Sequence, residues 1–112
     1  MNYEIHYYSE QVIADIERLP PLIVARYITL TERMKKVGSN LGPPHTKALD
    51  KGLFELRLKA DKQIARVFYC TLVNKKIVIL HSFVKKTQKT PMKELRIAKK
   101  RLNEVKNNDN TR

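Results

Sequence analysis

With 112 residues, the chain has room for one domain and one modest core, which excludes a second catalytic domain. Hydrophobic residues make up 42% and charged residues 30% of it, enough apolar material to fold and too much for a disordered polyelectrolyte. The formal net charge of +12 attracts polyanions and is lopsided: residues 1–34 carry three Arg against five Asp/Glu, a net −2, and residues 35–112 carry +14.

From the N-terminus, Tyr3 to Tyr8 alternates apolar and polar residues and predicts a half-buried strand, with Ser9 placed as an N-cap behind it. Val12, Ile16 and Leu19 recur at helical spacing over Glu10 to Leu19, and Pro20-Pro21 ends that helix while pre-setting the next. Ile23, Tyr27, Leu30, Met34 and Val37 make one continuous stripe on a second helix, which Gly38-Ser39-Asn40 stops. The two helices read as a hairpin whose apolar faces pack on a sheet.

After a loop at Leu41-Gly42-Pro43-Pro44 the period changes to two. Leu53 to Lys59 puts Phe54, Leu56 and Leu58 on one face and Glu55, Arg57 and Lys59 on the other. Ala60-Asp61-Lys62 is a short turn. Gln63 to Leu72 and Lys76 to Val84 are β-branched, apolar runs joined through Val73-Asn74-Lys75, where Asn suits a tight turn. By the same alternation His81 shares a face with Ile77, Ile79 and Phe83. Thr90-Pro91 offers an N-cap and a first-position proline for a terminal helix with Leu95, Ala98, Leu102 and Val105 as its stripe. The expected fold is α+β: an N-terminal strand and helical hairpin on a small, mainly antiparallel twisted sheet, with a C-terminal helix. One domain is expected over residues 1–106, with a disordered polar tail over 107–112.

Cys70 is the only cysteine, so there is no internal disulfide, and it reads as a small apolar strand residue. His6, His45 and His81 are not paired with carboxylates at ligand spacing, and no metal or other cofactor is expected. Met1 to Glu4 lacks a basic n-region, and the aliphatic runs Leu22 to Ala25 and Ile77 to Leu80 are short, so the expectation is a cytoplasmic protein without a membrane segment. Walker, Rossmann, zincin and G-x-S-x-G signatures are missing. Catalysis, if any, falls to the basic groups.

The strongest local feature is Lys85-Lys86-Thr87-Gln88-Lys89-Thr90-Pro91, a basic junction between a buried strand and a helix N-terminus. Such a junction can hold a phosphate, or its lysines can simply keep a loop soluble. Arg66 stands in a strand otherwise suited to burial and needs a ligand or a partner, for which Glu55 is available. Arg57 has the same two readings. Arg57, Arg66, Lys85 and Lys86 together could converge on one face. The basic residues of the last helix usually form a solvated face, though they could also grip RNA phosphates.

The order of elements resembles the RelE/ParE toxin superfamily. Lys47 to Arg57, Arg66-Val67-Phe68-Tyr69 and Leu80 to Pro91 are similar in wording to its phage-derived HigB-like branch. That resemblance implies the toxin of a type II toxin-antitoxin system, a metal-independent mRNA endoribonuclease that inhibits translation from the 30S A site of the ribosome. It implies a cognate antitoxin, a small DNA-binding protein with a HigA-like helix-turn-helix. By position it makes Arg57, Arg66, Lys85 and Lys86 catalytic, with Lys47, Lys59, Lys89, Lys93, Lys99, Lys100 and Arg101 as candidates for RNA or ribosome contact. The chain departs from the RelE pattern in having no tyrosine after the basic junction, and from HigB relatives in lacking a terminal His-Tyr pair. The general base is therefore open among a lysine of lowered pKa, Glu55 and His45. Two non-catalytic alternatives share the fold: a ParE-like gyrase inhibitor and a nucleic-acid-binding regulator.

Overall fold

Ser9 and Pro21 set the two N-terminal helices. In the computed structural model, which describes residues 2–86 and 88–110, strand β1 (Glu4–Tyr7) leads into helix α1 (Glu10–Glu17). The Ser9 Oγ accepts the Val12 N–H at 3.3 Å, as an N-cap should. Pro21 opens helix α2 (Pro21–Val37), where its missing N–H costs nothing. Gly38 closes α2 at φ 111°, its N–H donating to the Met34 carbonyl at 2.9 Å.

Strands β2 (Thr46–Ala48), β3 (Leu53–Ala60), β4 (Gln63–Leu72) and β5 (Lys76–Val84) complete a sheet of order β1-β5-β4-β3-β2. Only β1 runs parallel to its neighbour. β2 was not expected. Three residues without alternating apolar character carry no strand pattern, and pairing with Phe54 to Leu56 is what makes Thr46 to Ala48 extended. The β4–β5 connection, Val73–Lys75, is a tight turn with Asn74 at φ 64° and Lys75 at φ 59°, left-handed positions of which Asn tolerates the first readily.

The α1–α2 hairpin covers one face of the sheet. There Val12, Ile16, Ile23, Tyr27, Leu30 and Met34 pack on Leu56, Leu58, Val67, Tyr69, Ile77 and Ile79. Helix α3 (Met92–Asn110) covers part of the other face, with Ala98 and Leu102 on Leu53, Phe68, Cys70, Val78, Leu80 and Phe83. No helix among the described residues is long and apolar enough to cross a membrane.

Two features differ from the sequence expectation. Helix α3 begins one residue later than Thr90-Pro91 suggested and runs to Asn110 rather than fraying at 107; positions 111 and 112 lie outside the described residues. No Gly or Pro interrupts this stretch, and Lys106 Nζ donates to the Lys51 carbonyl at 2.7 Å, anchoring the last turns.

The second is a β-bulge. Phe68 pairs with His81 but Tyr69 pairs with Ile79, so Leu80 is an extra residue in β5. Strict alternation would keep His81 and Phe83 on the face of Ile77 and Ile79. The bulge moves them to the α3 face, where Phe83 joins the second core and His81 Nε2 lies 2.7 Å from Glu94 Oε1. The same shift decides which way Lys85 faces. Lys85 follows the Ala65↔Val84 pair and its N–H donates to the Ile64 carbonyl at 2.8 Å, so it stands on the face of Ile64 and Arg66.

A bulge leaves ladder groups without strand partners. Arg101 from α3 supplies one: its Nη1 donates to the Leu80 carbonyl at 2.7 Å, while its guanidinium sits 4.7 Å from the Tyr8 ring centroid. Tyr8 in turn donates to Glu104. We expect Arg101→Ala to cost about 1–3 kcal/mol, since it strands a buried acceptor. Lys99→Ala and Lys100→Ala, at exposed positions, should each change stability by no more than about 0.5 kcal/mol. Denaturant unfolding of the three variants checks this; equal effects would remove Arg101 from the fold's support.

Candidate functional site

Helix α3 leaves one end of its face of the sheet open. On that end β3 presents Glu55, Arg57 and Lys59, β4 presents Ile64 and Arg66, and the chain leaving β5 presents Lys85. The register sets Arg57 directly opposite Arg66, Lys59 opposite Ile64, and Lys47 of β2 opposite Glu55. Two guanidinium groups facing each other across a ladder repel. Glu55 stands diagonally between them: its Oε1 lies 2.6 Å from Arg66 Nε and 3.8 Å from Arg57 Nε.

This is a largely buried charge cluster. The Glu55 side chain is 7% exposed and that of Arg66 12%, whereas Arg57 keeps 39%. Glu55 is thus the partner that the buried Nε of Arg66 faces, while the buried Nε of Arg57, at 3.8 Å, has no hydrogen-bonded acceptor among the described residues. Arg66 also donates from Nη1 to the Ala65 carbonyl at 3.2 Å. Burial lowers the Arg66 pKa, Glu55 works against that and Arg57 with it; an arginine remains charged regardless. Lys85 is likewise lowered, first by burial and then by the charge of Arg66, with Glu55 opposing and Arg57 and Lys47 adding to it.

Two clefts adjoin the cluster and share a wall. One, of about 510 Å³, is lined by Lys62, Ile64, Arg66, Lys85, Lys86 and Gln88. The other, of about 410 Å³, is lined by Arg26, Pro44, His45, Arg57, Lys59, Ile64 and Arg66. Arg66 and Ile64 belong to both.

The fold thus gathers Arg57, Arg66, Lys85 and Lys86 with Lys47, Lys59, Glu55 and His45. His45 is held at the cleft because its carbonyl accepts the Arg57 N–H at 2.8 Å. The basic residues of α3 are dispersed instead. Lys93 is exposed on the first turn, Lys99 lies by Asp50 and Lys51, Lys100 lies by Tyr8 and Glu104, and Arg101 is engaged with Leu80. Lys89 sits in the loop before α3 and lines neither cleft, and Thr87 of the same loop lies outside the described residues. The phosphate expected at the α3 N-terminus is not where the cations converge. Glu94 occupies that first turn beside His81, and among the described residues no α3 side chain lines either cleft. Among the described residues no three His, Cys, Asp or Glu gather as metal ligands.

Arg26, Lys62 and Gln88 were not singled out in the sequence. Arg26 adjoins the buried stripe of α2, next to Tyr27, and the pattern that marks the stripe cannot show a side chain reaching past a sheet edge. That edge is open beyond Arg57, since β2 pairs with β3 as far as Leu56 and the His45 carbonyl takes the Arg57 N–H.

Comparison with known proteins gives a family match and matches among solved structures. A family model described as phage-derived Gp49-like protein matches residues 14–103. Among solved structures, a chain of the archaeal RelE-RelB complex from Pyrococcus horikoshii OT3 superposes with a TM-score of 0.56 at 20% identity, over 75% of this chain and 96% of that one. That likeness bears on the fold. No curated protein matches.

Glu55 should be worth more to the fold than its surface-like composition suggests. Removing one member of a buried ion pair typically costs about 3–5 kcal/mol. We expect Glu55→Ala to fall in that range, because it leaves Arg57 and Arg66 opposed with no counter-charge, and Glu55→Gln to cost less. Chemical denaturation measures both; a loss under about 1 kcal/mol for Glu55→Ala would mean that solvent already screens the two arginines.

Proposed function

The chain belongs to the phage-derived Gp49-like family, a RelE/HigB-type toxin family, and from that membership we propose that it is a ribosome-dependent, metal-independent mRNA endoribonuclease. Its substrate on this reading is mRNA in the A site of the 30S subunit, and its inhibitor is a cognate antitoxin of the HigA-like helix-turn-helix kind. A domain with +14 over its last 78 residues suits an acidic or apolar antitoxin segment. Action on translating ribosomes makes the protein cytoplasmic.

One observation carries the proposal: Arg66, largely buried and ion-paired to Glu55, forms the shared wall of two cation-lined clefts on an open sheet face. A phosphodiester is the ligand such a wall suits. In RNA the 2′-oxygen can attack the adjacent phosphorus, forming a 2′-O–P bond while the P–O bond to the 5′-oxygen breaks. The products are a 2′,3′-cyclic phosphate and a 5′-hydroxyl. The phosphorane-like transition state holds more charge than the diester, so fixed cations beside it act on the rate rather than on binding alone.

On this reading Arg66 holds the non-bridging oxygens, and Arg57, across the ladder, adds a second guanidinium. Lys85 takes the 2′-hydroxyl proton; burial and neighbouring positive charge lower its pKa, the direction that favours a general base. Lys86, in the same cleft, adds a cation beside the non-bridging oxygens, and the departing 5′-oxygen takes its proton from solvent. Glu55, occupied by Arg66, positions the guanidinium rather than moving a proton. His45 lies in the second cleft, away from Lys85 and Lys86. Lys47, Lys59, Lys89, Lys93, Lys99 and Lys100 remain candidates for ribosome contact, whereas Arg101 is already engaged within the fold.

Mapping new mRNA 5′ ends in a translating extract tests the activity: codon-spaced cuts are expected, and a gyrase inhibitor or regulator would produce none. Arg66→Ala and Lys86→Ala should each slow cleavage by roughly a hundredfold to a thousandfold, by analogy with loss of one oxyanion-stabilising donor. Arg66→Lys should recover only part of it, since lysine lacks the planar fork. Full activity in a folded Arg66→Ala would sink the assignment. If Lys85 is the base, the rate rises with pH up to its lowered pKa, and Lys85→Arg removes that rise along with most activity. An unchanged pH profile in Lys85→Arg assigns the base elsewhere.

A further inference from the structure

We propose that the second cleft is a subsite for the nucleotide adjoining the cleaved bond, with Arg26 of α2 holding that nucleotide's outer phosphate. The inference rests on the nuclease reading above. Its basis is the continuity of the two clefts: Ile64 and Arg66 line both, so an RNA strand with its scissile phosphate on Arg66 passes from one cleft into the other. One side of the bond then faces Lys85 and Lys86. The other faces Arg26, His45 and Lys59.

The chemistry of the lining agrees. Arg26, Arg57, Lys59 and Arg66 bring four cations to one cleft, and the carboxylate of this cluster, Glu55, is already engaged with Arg66 and near Arg57. Arg26 and Lys59 have no ion-pair partner among the described residues. Uncompensated charge of this kind favours an anion. Pro44 and Ile64 add apolar walls, and a volume of about 410 Å³ falls in the range usual for small-ligand sites. A phosphate at the mouth with a flat base against Pro44 and Ile64 satisfies both halves of the lining. The placement of Arg26 agrees with the topology: beyond Arg57, whose N–H goes to the His45 carbonyl, the edge of β3 has no strand beside it, and Arg26 of the helical layer lines a cleft with residues of the opposite face.

The test uses ribosomes programmed with mRNA in which the linkage on one or the other side of the cut bond is a neutral methylphosphonate. Single-turnover cleavage by the full chain is compared with Arg26→Gln, whose exposed position should leave its thermal melt unchanged. Charge-assisted contacts of this kind carry about a tenfold effect or more. We expect the unaltered protein to cut one of the two substituted mRNAs about tenfold more slowly. Arg26→Gln should cut ordinary mRNA about tenfold more slowly and be insensitive to that same substitution, the signature of a direct pair. If Arg26→Gln cuts ordinary mRNA at the full rate, or if its defect multiplies with the substitution, the subsite is wrong and the nuclease reading stands. If the unaltered protein cuts no mRNA of any kind, the reading falls and the subsite with it.

Discussion

Glu55 is the constraint on which the open face depends. The sheet register places Arg57 and Arg66 opposite each other, and Lys47 beside Glu55, with Lys85 arriving from the next strand. Without a carboxylate among them these cations would oppose the pairing of the strands that carry them. With it, Arg66 can be pulled almost out of solvent at 2.6 Å from Glu55 and still line both clefts. A buried pair is a poor source of net stability compared with apolar packing. Its value here is geometric: it holds a guanidinium rigid in a face that is otherwise half covered by α3.

A second constraint is the Leu80 bulge, which changes the phase of β5 midway. The first part of the strand gives Ile77 and Ile79 to the hairpin core; after the bulge, Phe83 goes to the α3 core and Lys85 to the face of Arg66. An unbulged strand would carry Lys85 to the hairpin side, away from Arg66. Arg101 therefore acts on the site from a distance, by satisfying the Leu80 carbonyl, and His81 with Glu94 fastens the start of α3 just past the same point. Residues that look like surface charge and an idle histidine are parts of how the basic junction is aimed.

Much of this was legible beforehand. The limits of β4 and β5, the α2 stripe from Ile23 to Met34, the Ser9 cap and the split of β3 into an apolar and a charged face all follow from periodicity, because each involves burial on one side only; Val37, the last member of the expected stripe, is exposed. The grouping of Arg57, Arg66, Lys85 and Lys86 was also readable, since lone charges in buried strands need company. What was hidden depends on pairing rather than on pattern. β2 exists only because β3 lies beside it, the bulge is an offset between two strands that each look regular, and Arg26 reaches the site around an edge. Arg101 could not be told from Lys99 and Lys100, because charge composition does not distinguish a cation facing water from one facing a carbonyl.

The central claim is that this face promotes attack by an RNA 2′-oxygen on the phosphorus held at Arg66. The most direct measurement is single-turnover cleavage on ribosomes programmed with an mRNA whose A-site codon carries a single 2′-deoxy residue at the cut position, followed by analysis of the product ends. The account predicts that the all-ribose mRNA is cut to a 2′,3′-cyclic phosphate and a 5′-hydroxyl while the deoxy mRNA stays intact at that bond. Cutting of the deoxy mRNA at the same bond and rate, or no cutting of either, would contradict it.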